Sequence, residues 1–369
     1  MDKMQRKERS SNLELMRILL MLLIIMHHYV VNSGVTDGMT LSNLTANSIF
    51  LQYWGMWGKT AINAFILISG YFLCVSQLTW QKYVKLFFQI FFYNIIIYLI
   101  LLGLGYATLA PKEVFIAFWG IFQGIGHGFI SSFMAFYIFV PILNKLIVNI
   151  NYGGVKRLLV LLLFIQVITV TFFFSHAFNE VSWYMTLYIV GAYLRLWAGD
   201  WAKSLRFAGV CLLVTVLLAW FSVAMIDFMG YSLQKGNWHQ AYYFVHDSSK
   251  ILAFVIGMAV FLFFKNLPLP HSRFINTVAK TTFGVLLIHA NSDAMRTMLW
   301  KHIVDVPAMV SAPLSQLILH AAGWAVVIFG VCSIIDYCRL RWIELPVMNY
   351  IYEHSDQIEA RITGMFFRR

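Results

Sequence analysis

The chain has 369 residues, 60% of them hydrophobic and only 12% charged, and carries a formal net charge of +11. Soluble domains are nearer a quarter charged, so a water-soluble globular enzyme is excluded and a protein solvated by lipid is indicated. The length fits one membrane domain, with too little left over for a second folded unit.

A membrane-spanning helix needs about 20 mostly apolar residues. In chain order the hydrophobic runs predict ten of them, at about 13–31, 57–76, 83–104, 129–149, 156–175, 182–198, 205–226, 249–267, 277–293 and 315–337. The run 112–123 is too short to cross and is read as an interfacial or re-entrant helix. The long outer connections are 32–56 and 227–248, both rich in polar and aromatic residues, and either is read as a cover for an external surface or as a simple connector. The expected fold class is therefore all-α: a polytopic transmembrane bundle of about ten spans with both termini cytoplasmic. The expected divisions are a basic N-terminus (1–12), an integral membrane domain (13–345) and a C-terminal tail (346–369). No cleavable signal peptide is expected, because the first apolar run is long enough to stay as a helix.

Charge placement orients this map. With the N-terminus inside, 20 of the 27 Lys and Arg residues fall in cytoplasmic segments, six fall outside, and Arg17 lies within the first span. That asymmetry is the positive-inside pattern. It accounts for the net charge through anionic lipid headgroups, with no need for nucleic acid.

Ionisable residues inside a membrane are costly and usually face a protein interior or a water-filled cavity. The first span, NLELMRILLMLLIIMHHYV, concentrates them. Glu14 and Arg17 are three residues apart and can pair on one face. Arg17 and His28 are separated by eleven steps, roughly 16 Å along a helix and within about 20° of the same face. The pair can line one cavity, with Arg17 near the cytoplasmic headgroups and His28 near mid-membrane. His27 points about 100° away. An alternative is that Arg17 snorkels to the headgroups and that the histidines bond to neighbouring helices.

In the second span, Ser69-Gly70 permits close helix approach. Lys82 and Lys85, one turn apart at the cytoplasmic entrance that follows, suit either an anionic ligand or ordinary anchoring in the headgroups. Four cysteines (Cys74, Cys211, Cys332, Cys338) lack metal spacing and are read as packing residues. There is no HExxH or CxxC motif, no Walker or dinucleotide glycine pattern and no Gly-x-Ser-x-Gly elbow. No metal site and no tightly bound cofactor is expected.

Several segments together resemble the acyltransferase-3 family of membrane-bound acyltransferases. They are Glu14-Leu15-x-Arg17 followed by His28 and the run HHY, FILISGYF (Phe65 to Phe72), FYIFVPILNKLI (Phe136 to Ile147), TTFGVLLIH (Thr281 to His289) and RWIELP (Arg341 to Pro346). The likeness covers nearly the whole chain and is strongest to bacterial members that modify surface polysaccharides. The chain departs from the family pattern in three places. The basic pair, usually arginine, is Lys82 and Lys85; the aromatic pair before the fourth helix reads Gly128-Phe129; and the tyrosine before Leu-x-His is Leu286.

The resemblance implies transfer of an acyl group, most often acetyl from acetyl-CoA, to a hydroxyl of a glycan or lipid-linked sugar in the bacterial cytoplasmic membrane. It implies a catalytic role for His28, as general base or acyl acceptor, with Arg17 holding the donor and Glu14 orienting Arg17. His27, Lys82, Lys85, Ser69 and Tyr71 are the candidate substrate-binding residues. The competing expectation is a transporter or exporter of a sugar, polysaccharide or amino acid, because polar residues in a membrane serve pathways as readily as catalysis. A donor other than acetyl is a third.

Overall fold

A computed structural model of the chain describes residues 10–173, 178–355 and 357. The basic residues Lys3, Arg6, Lys7 and Arg9 at the start, and Arg361, Arg368 and Arg369 at the end, lie outside the described residues. Within them the chain is helical, and its one β-bridge pairs Thr40 with Asn237. In hydrocarbon every backbone polar group must be satisfied within the segment, which selects helices for runs this apolar.

The helices are α1 (Ser11–Val31), α2 (Ala46–Gly55), α3 (Gly58–Leu73), α4 (Trp80–Gly103), α5 (Pro111–Gln123), α6 (Phe129–Asn149), α7 (Tyr152–Phe172) and α8 (Glu180–Leu196). They are followed by α9 (Leu205–Ser232), α10 (Ile251–Asn266), α11 (Arg273–Val278), α12 (Thr282–His289), α13 (Asp293–Thr297) and α14 (Leu314–Arg339). A π-turn over Leu340–Glu344 leads from α14 into α15 (Leu345–Glu353) without a break. Six of these helical stretches are long and apolar enough by themselves to cross a membrane: α1, α4, α6, α7, α9, and α14 with its continuation. Four other expected spans coincide with shorter helical segments: α3, α8, α10 and the run from α11 to α12. The 13-residue α5 buries none of its residues and is too short to cross, as its length predicted.

Two sequence boundaries are corrected. The span expected at 277–293 is interrupted and ends at His289. Thr281 and Thr282 turn their hydroxyls back onto the carbonyls of Val278 and Ala279, at 2.8 and 2.9 Å, and the chain tightens into a 3-10 turn there. The outer connection expected from 227 begins later, because α9 runs on to Ser232.

Position in the bundle sorts the helices. Of the apolar stretch of α1, 44% is buried, against 17% in α9. α1 packs against α2, α3, α10, α11, α12 and α14 and forms the central post, whereas α9 presents Val210, Leu213, Phe221 and Phe228 outward. A helix apolar on every side is stable in the middle of such a bundle.

Helix α3 packs closely against α8, the kind of approach that Ser69-Gly70 permits. A Cβ on Gly70 would sit 2.4 Å from the Tyr188 carbonyl oxygen, and one on Gly191 2.7 Å from that of Leu67. Only glycine lets the two backbones meet at that distance.

At the end of the bundle where α1 finishes, the two long connections fold over it as one cap. Leu41 N donates to the Gly236 carbonyl at 3.0 Å, and the buried Trp238 indole donates to the Ser48 carbonyl at 3.0 Å. Helix α2 starts in a capping box, with the Thr45 hydroxyl accepting from Ser48 N at 3.1 Å. Gln52 Nε2 donates to Asp227 Oδ1 at 3.0 Å and ties α2 to α9.

Candidate active site

Helix α1 is unbroken, so its sequence spacing survives in three dimensions. Arg17 Nη1 lies 3.3 Å from Glu14 Oε1, and the carboxylate is far less exposed than the guanidinium, at 8% against 30%. Arg17, Met21 and Ile24 follow one another along the stripe that leads to His28, and all three line one cavity.

That cavity holds about 950 Å³, near the upper end of the range typical of small-molecule sites. Its lining carries five cations, Arg17, Lys85, Arg273, Lys280 and Arg341, and one carboxylate, Glu344. Such a surface suits a polyanion, because charge-assisted hydrogen bonds to phosphate or carboxylate are about twice as strong as neutral ones. The cations come from four stretches of the chain: α1, α4, the adjoining α11 and 3-10 turn, and the π-turn. Arg273 begins α11, Lys280 lies in the 3-10 turn that interrupts the ninth expected span, and Arg341 lies in the π-turn after α14. Both departures from α-geometry therefore supply lining residues, in keeping with the habit of π-turns to occur at functional sites.

A buried chain of charges backs this wall. Lys85 Nζ contacts Glu344 Oε1 at 2.8 Å, Arg339 Nη1 donates to Glu344 Oε2 at 2.6 Å, and Arg339 Nε donates to Asp336 Oδ1 at 2.7 Å. Tyr93 on α4 donates its hydroxyl to the same Asp336 oxygen at 2.7 Å. Asp336, Arg339 and Glu344 are all buried, so each charge depends on the next for its solvation. Gly284 makes room for them: a Cβ there would lie 2.0 Å from Asp336 Cγ.

Beyond Ile24 and Leu286, both on the cavity wall, the next turns of α1 and α12 carry His28 and His289. The two imidazoles meet at 3.0 Å between His28 Nδ1 and His289 Nε2. His289 is fully buried, and its Nδ1 lies 2.6 Å from the Val285 carbonyl oxygen. Trp300 sets its edge against both His289 and Tyr29. His28 is only partly buried. It lies three residues before the end of α1, whose midpoint is Met21.

The expected site residues divide into groups. Arg17, Lys85 and Ser69 line the cavity, whereas His28, expected to share it with Arg17, lies one turn beyond its lining and is not part of it. Glu14 touches Arg17 from behind. Lys82, expected to act with Lys85, turns away and donates to the Gln77 carbonyl at 2.6 Å. Tyr71 accepts from Arg195 Nη1 at 3.1 Å and lies under its guanidinium, 4.8 Å from ring centre to Cζ. His27 donates Nδ1–H to the Gly55 carbonyl at 2.5 Å, with its ring against Gly58, where a Cβ would come within 2.4 Å of it. The residues missing from the expected set are His289, Arg273, Lys280, Arg341 and Glu344. His289, Arg341 and Glu344 stood within segments that carried the family resemblance; no spacing rule pointed to Arg273 or Lys280.

A family model for the acyltransferase domain, acyltransferase-3, matches residues 10–337. The chain belongs to the acyltransferase-3 family. It is a multi-pass membrane acyltransferase, and the matched range holds the α1 stripe, the histidine pair and all of the cavity wall except the π-turn and the start of α15. No curated protein and no solved structure gave a match to the chain.

Proposed function

We propose that this acyltransferase moves an acyl group, acetyl in the first instance, from acyl-CoA to a hydroxyl of a cell-surface or lipid-linked glycan. In this reading ten helical segments cross the bacterial cytoplasmic membrane, both termini face the cytosol, and the basic cavity opens to the cytosol. The observation that carries it is that cavity: five cations around about 950 Å³, ending one helical turn short of His28. CoA presents several phosphates on a long, mostly neutral arm. Arg17, Lys85, Arg273, Lys280 and Arg341 hold the phosphates, and the pantetheine arm runs past Met21 and Ile24 so that the thioester reaches His28. Glu344, held by Arg339, positions Lys85.

At His28 the chemistry balances in either of two ways. As general base, the imidazole takes the proton of the acceptor hydroxyl while its oxygen attacks the thioester carbonyl. The C–S bond then breaks, and the leaving thiolate recovers that proton as CoA-SH. As nucleophile, the imidazole takes the acyl group, releases CoA and passes the group to the hydroxyl. Both give one ester and one free thiol per turnover.

The test uses the full chain in nanodiscs with acetyl-CoA, together with NMR of envelope glycan from cells carrying each variant. His28→Ala is expected to bind acetyl-CoA and to leave the glycan without O-acetyl groups. Normal O-acetylation in that variant overturns the reading. So does sugar flux through proteoliposomes without acetyl-CoA, which is the behaviour of a transporter.

A further inference from the structure

We infer that His289 is a positioning residue that fixes the tautomer of His28 and leaves His28 Nε2 as the reacting nitrogen. The inference rests on the reading of His28 as the catalytic group and names the atom that acts.

The argument is one of donors and acceptors. A carbonyl oxygen only accepts, so the 2.6 Å contact between His289 Nδ1 and the Val285 carbonyl requires the proton on Nδ1. A neutral imidazole carries one N–H, so His289 Nε2 is then an acceptor. The 3.0 Å contact to His28 Nδ1 needs one donor, and that donor is His28 Nδ1–H. His28 is left with a bare lone pair on Nε2. Among the described residues that nitrogen has no hydrogen-bond partner, and the side chain is only partly buried. The opposite arrangement needs His289 doubly protonated. That would be an unpaired cation at a fully buried position with no carboxylate in contact, which is costly. Its neighbours do not help: Arg296 is itself a cation, donating to the Ala290 carbonyl at 3.3 Å, and Trp300 meets the ring edge-on.

Each part of the relay is set by the backbone. Val285 is one turn before His289 on α12, so the carbonyl that orients His289 belongs to the same helix. α12 ends at His289, where α1 passes with His28. The relay therefore runs from Val285 O through the His289 ring and the His28 ring to Nε2. A second group that orients the base, fixing both ring and tautomer, is the usual arrangement where an imidazole must act from one nitrogen. His27 has no such role, because its Nδ1–H is taken by Gly55. Both routes proposed for His28 use the same atom: Nε2 takes the hydroxyl proton, or Nε2 takes the acyl group.

The experiment combines ¹⁵N NMR of histidine-labelled protein in nanodiscs with kinetics of His289→Leu and His289→Gln. The His28 signals are assigned by their loss in His28→Ala. The expected spectrum has His28 Nδ1 protonated and Nε2 bare. His289→Leu is expected to lose that single tautomer and to lower kcat by roughly 10–100-fold, with acetyl-CoA binding unchanged. Glutamine offers an acceptor oxygen where Nε2 stood, so His289→Gln should recover most of the rate and the Nδ1–H signal. A proton found on Nε2 in the unmodified protein overturns the inference, as does wild-type kcat in His289→Leu or failure of glutamine to improve on leucine. These failures leave the role of His28 standing if His28→Ala is inactive, whereas an active His28→Ala removes the parent reading itself.

Discussion

The two ends of the bundle are built on opposite terms. At one end, α11, the 3-10 turn and the π-turn stand apart around a large basic cavity whose charges come from four stretches of the chain. At the other, the connections after α1 and α9 close on each other, with Trp238 fully buried and neutral hydrogen bonds between loops. One end is open and charged, and the other is closely packed with neutral contacts. The histidine pair lies between them, one turn beyond the cavity wall and beside the last residues of α1. The contrast teaches that charge gathers at one end of the bundle and neutral packing at the other, with the histidine pair one turn beyond the charged cavity.

Substitutions can break or sharpen this comparison. The largest expected effect is at the junction: His28→Ala should lower acyl transfer by roughly 10²–10⁴-fold while the dissociation constant for acetyl-CoA, read by calorimetry, stays put. Next are two stability experiments, one at each end. Arg339→Met leaves buried Asp336 with only the Tyr93 hydroxyl and buried Glu344 with only Lys85, and should destabilise the protein by about 3–5 kcal/mol. It should also weaken donor binding, because Lys85 loses the support of a fixed Glu344. Trp238→Ala empties the core of the cap at a cost of about 3–5 kcal/mol, seen as a fall in Tm, with donor affinity unchanged. If Trp238→Ala weakens acetyl-CoA binding as much as Arg339→Met does, the two ends are not independent. Smaller effects belong to single cations of the cavity. Arg273→Gln or Arg341→Gln should each weaken acetyl-CoA binding by roughly 10-fold, the equivalent of about 1.4 kcal/mol, and the loss should shrink as salt is raised. The smallest is Lys82→Gln: Lys82 faces away from the cavity and its loss should leave donor affinity within about 2-fold, under 0.5 kcal/mol. An effect equal to that of Lys85→Gln would return Lys82 to the site.

Sequence and structure agree best where the determinants are local. The α1 stripe was legible because helical periodicity is fixed: residues eleven apart share a face whatever surrounds them. The close approach at Gly70 was legible because a missing side chain has one steric consequence. The pairing of Lys82 with Lys85 was not, since residues three apart on a helix can still part when a neighbouring carboxylate, here Glu344, captures one of them. The interruption before α12 turned on two threonine hydroxyls choosing backbone carbonyls over side-chain partners, a competition that hydrophobicity does not register.

Composition, periodicity and charge asymmetry alone determined a multi-pass helical membrane protein, and the order of short motifs matched a family of acyltransferases. Those properties are sums or spacings along one chain, and they hold before any helix meets another. The tertiary structure decided which ionisable groups share a volume. Arg273, Lys280 and Arg341 join Arg17 only because the start of α11, the 3-10 turn and the π-turn are brought to one cavity. His289 reaches His28 across 261 positions of sequence. A hydrogen bond has directional reach of about 3 Å, so the meeting of the two rings is written in the packing of α12 against α1, while the local contact of His289 with the Val285 carbonyl sets which of them accepts.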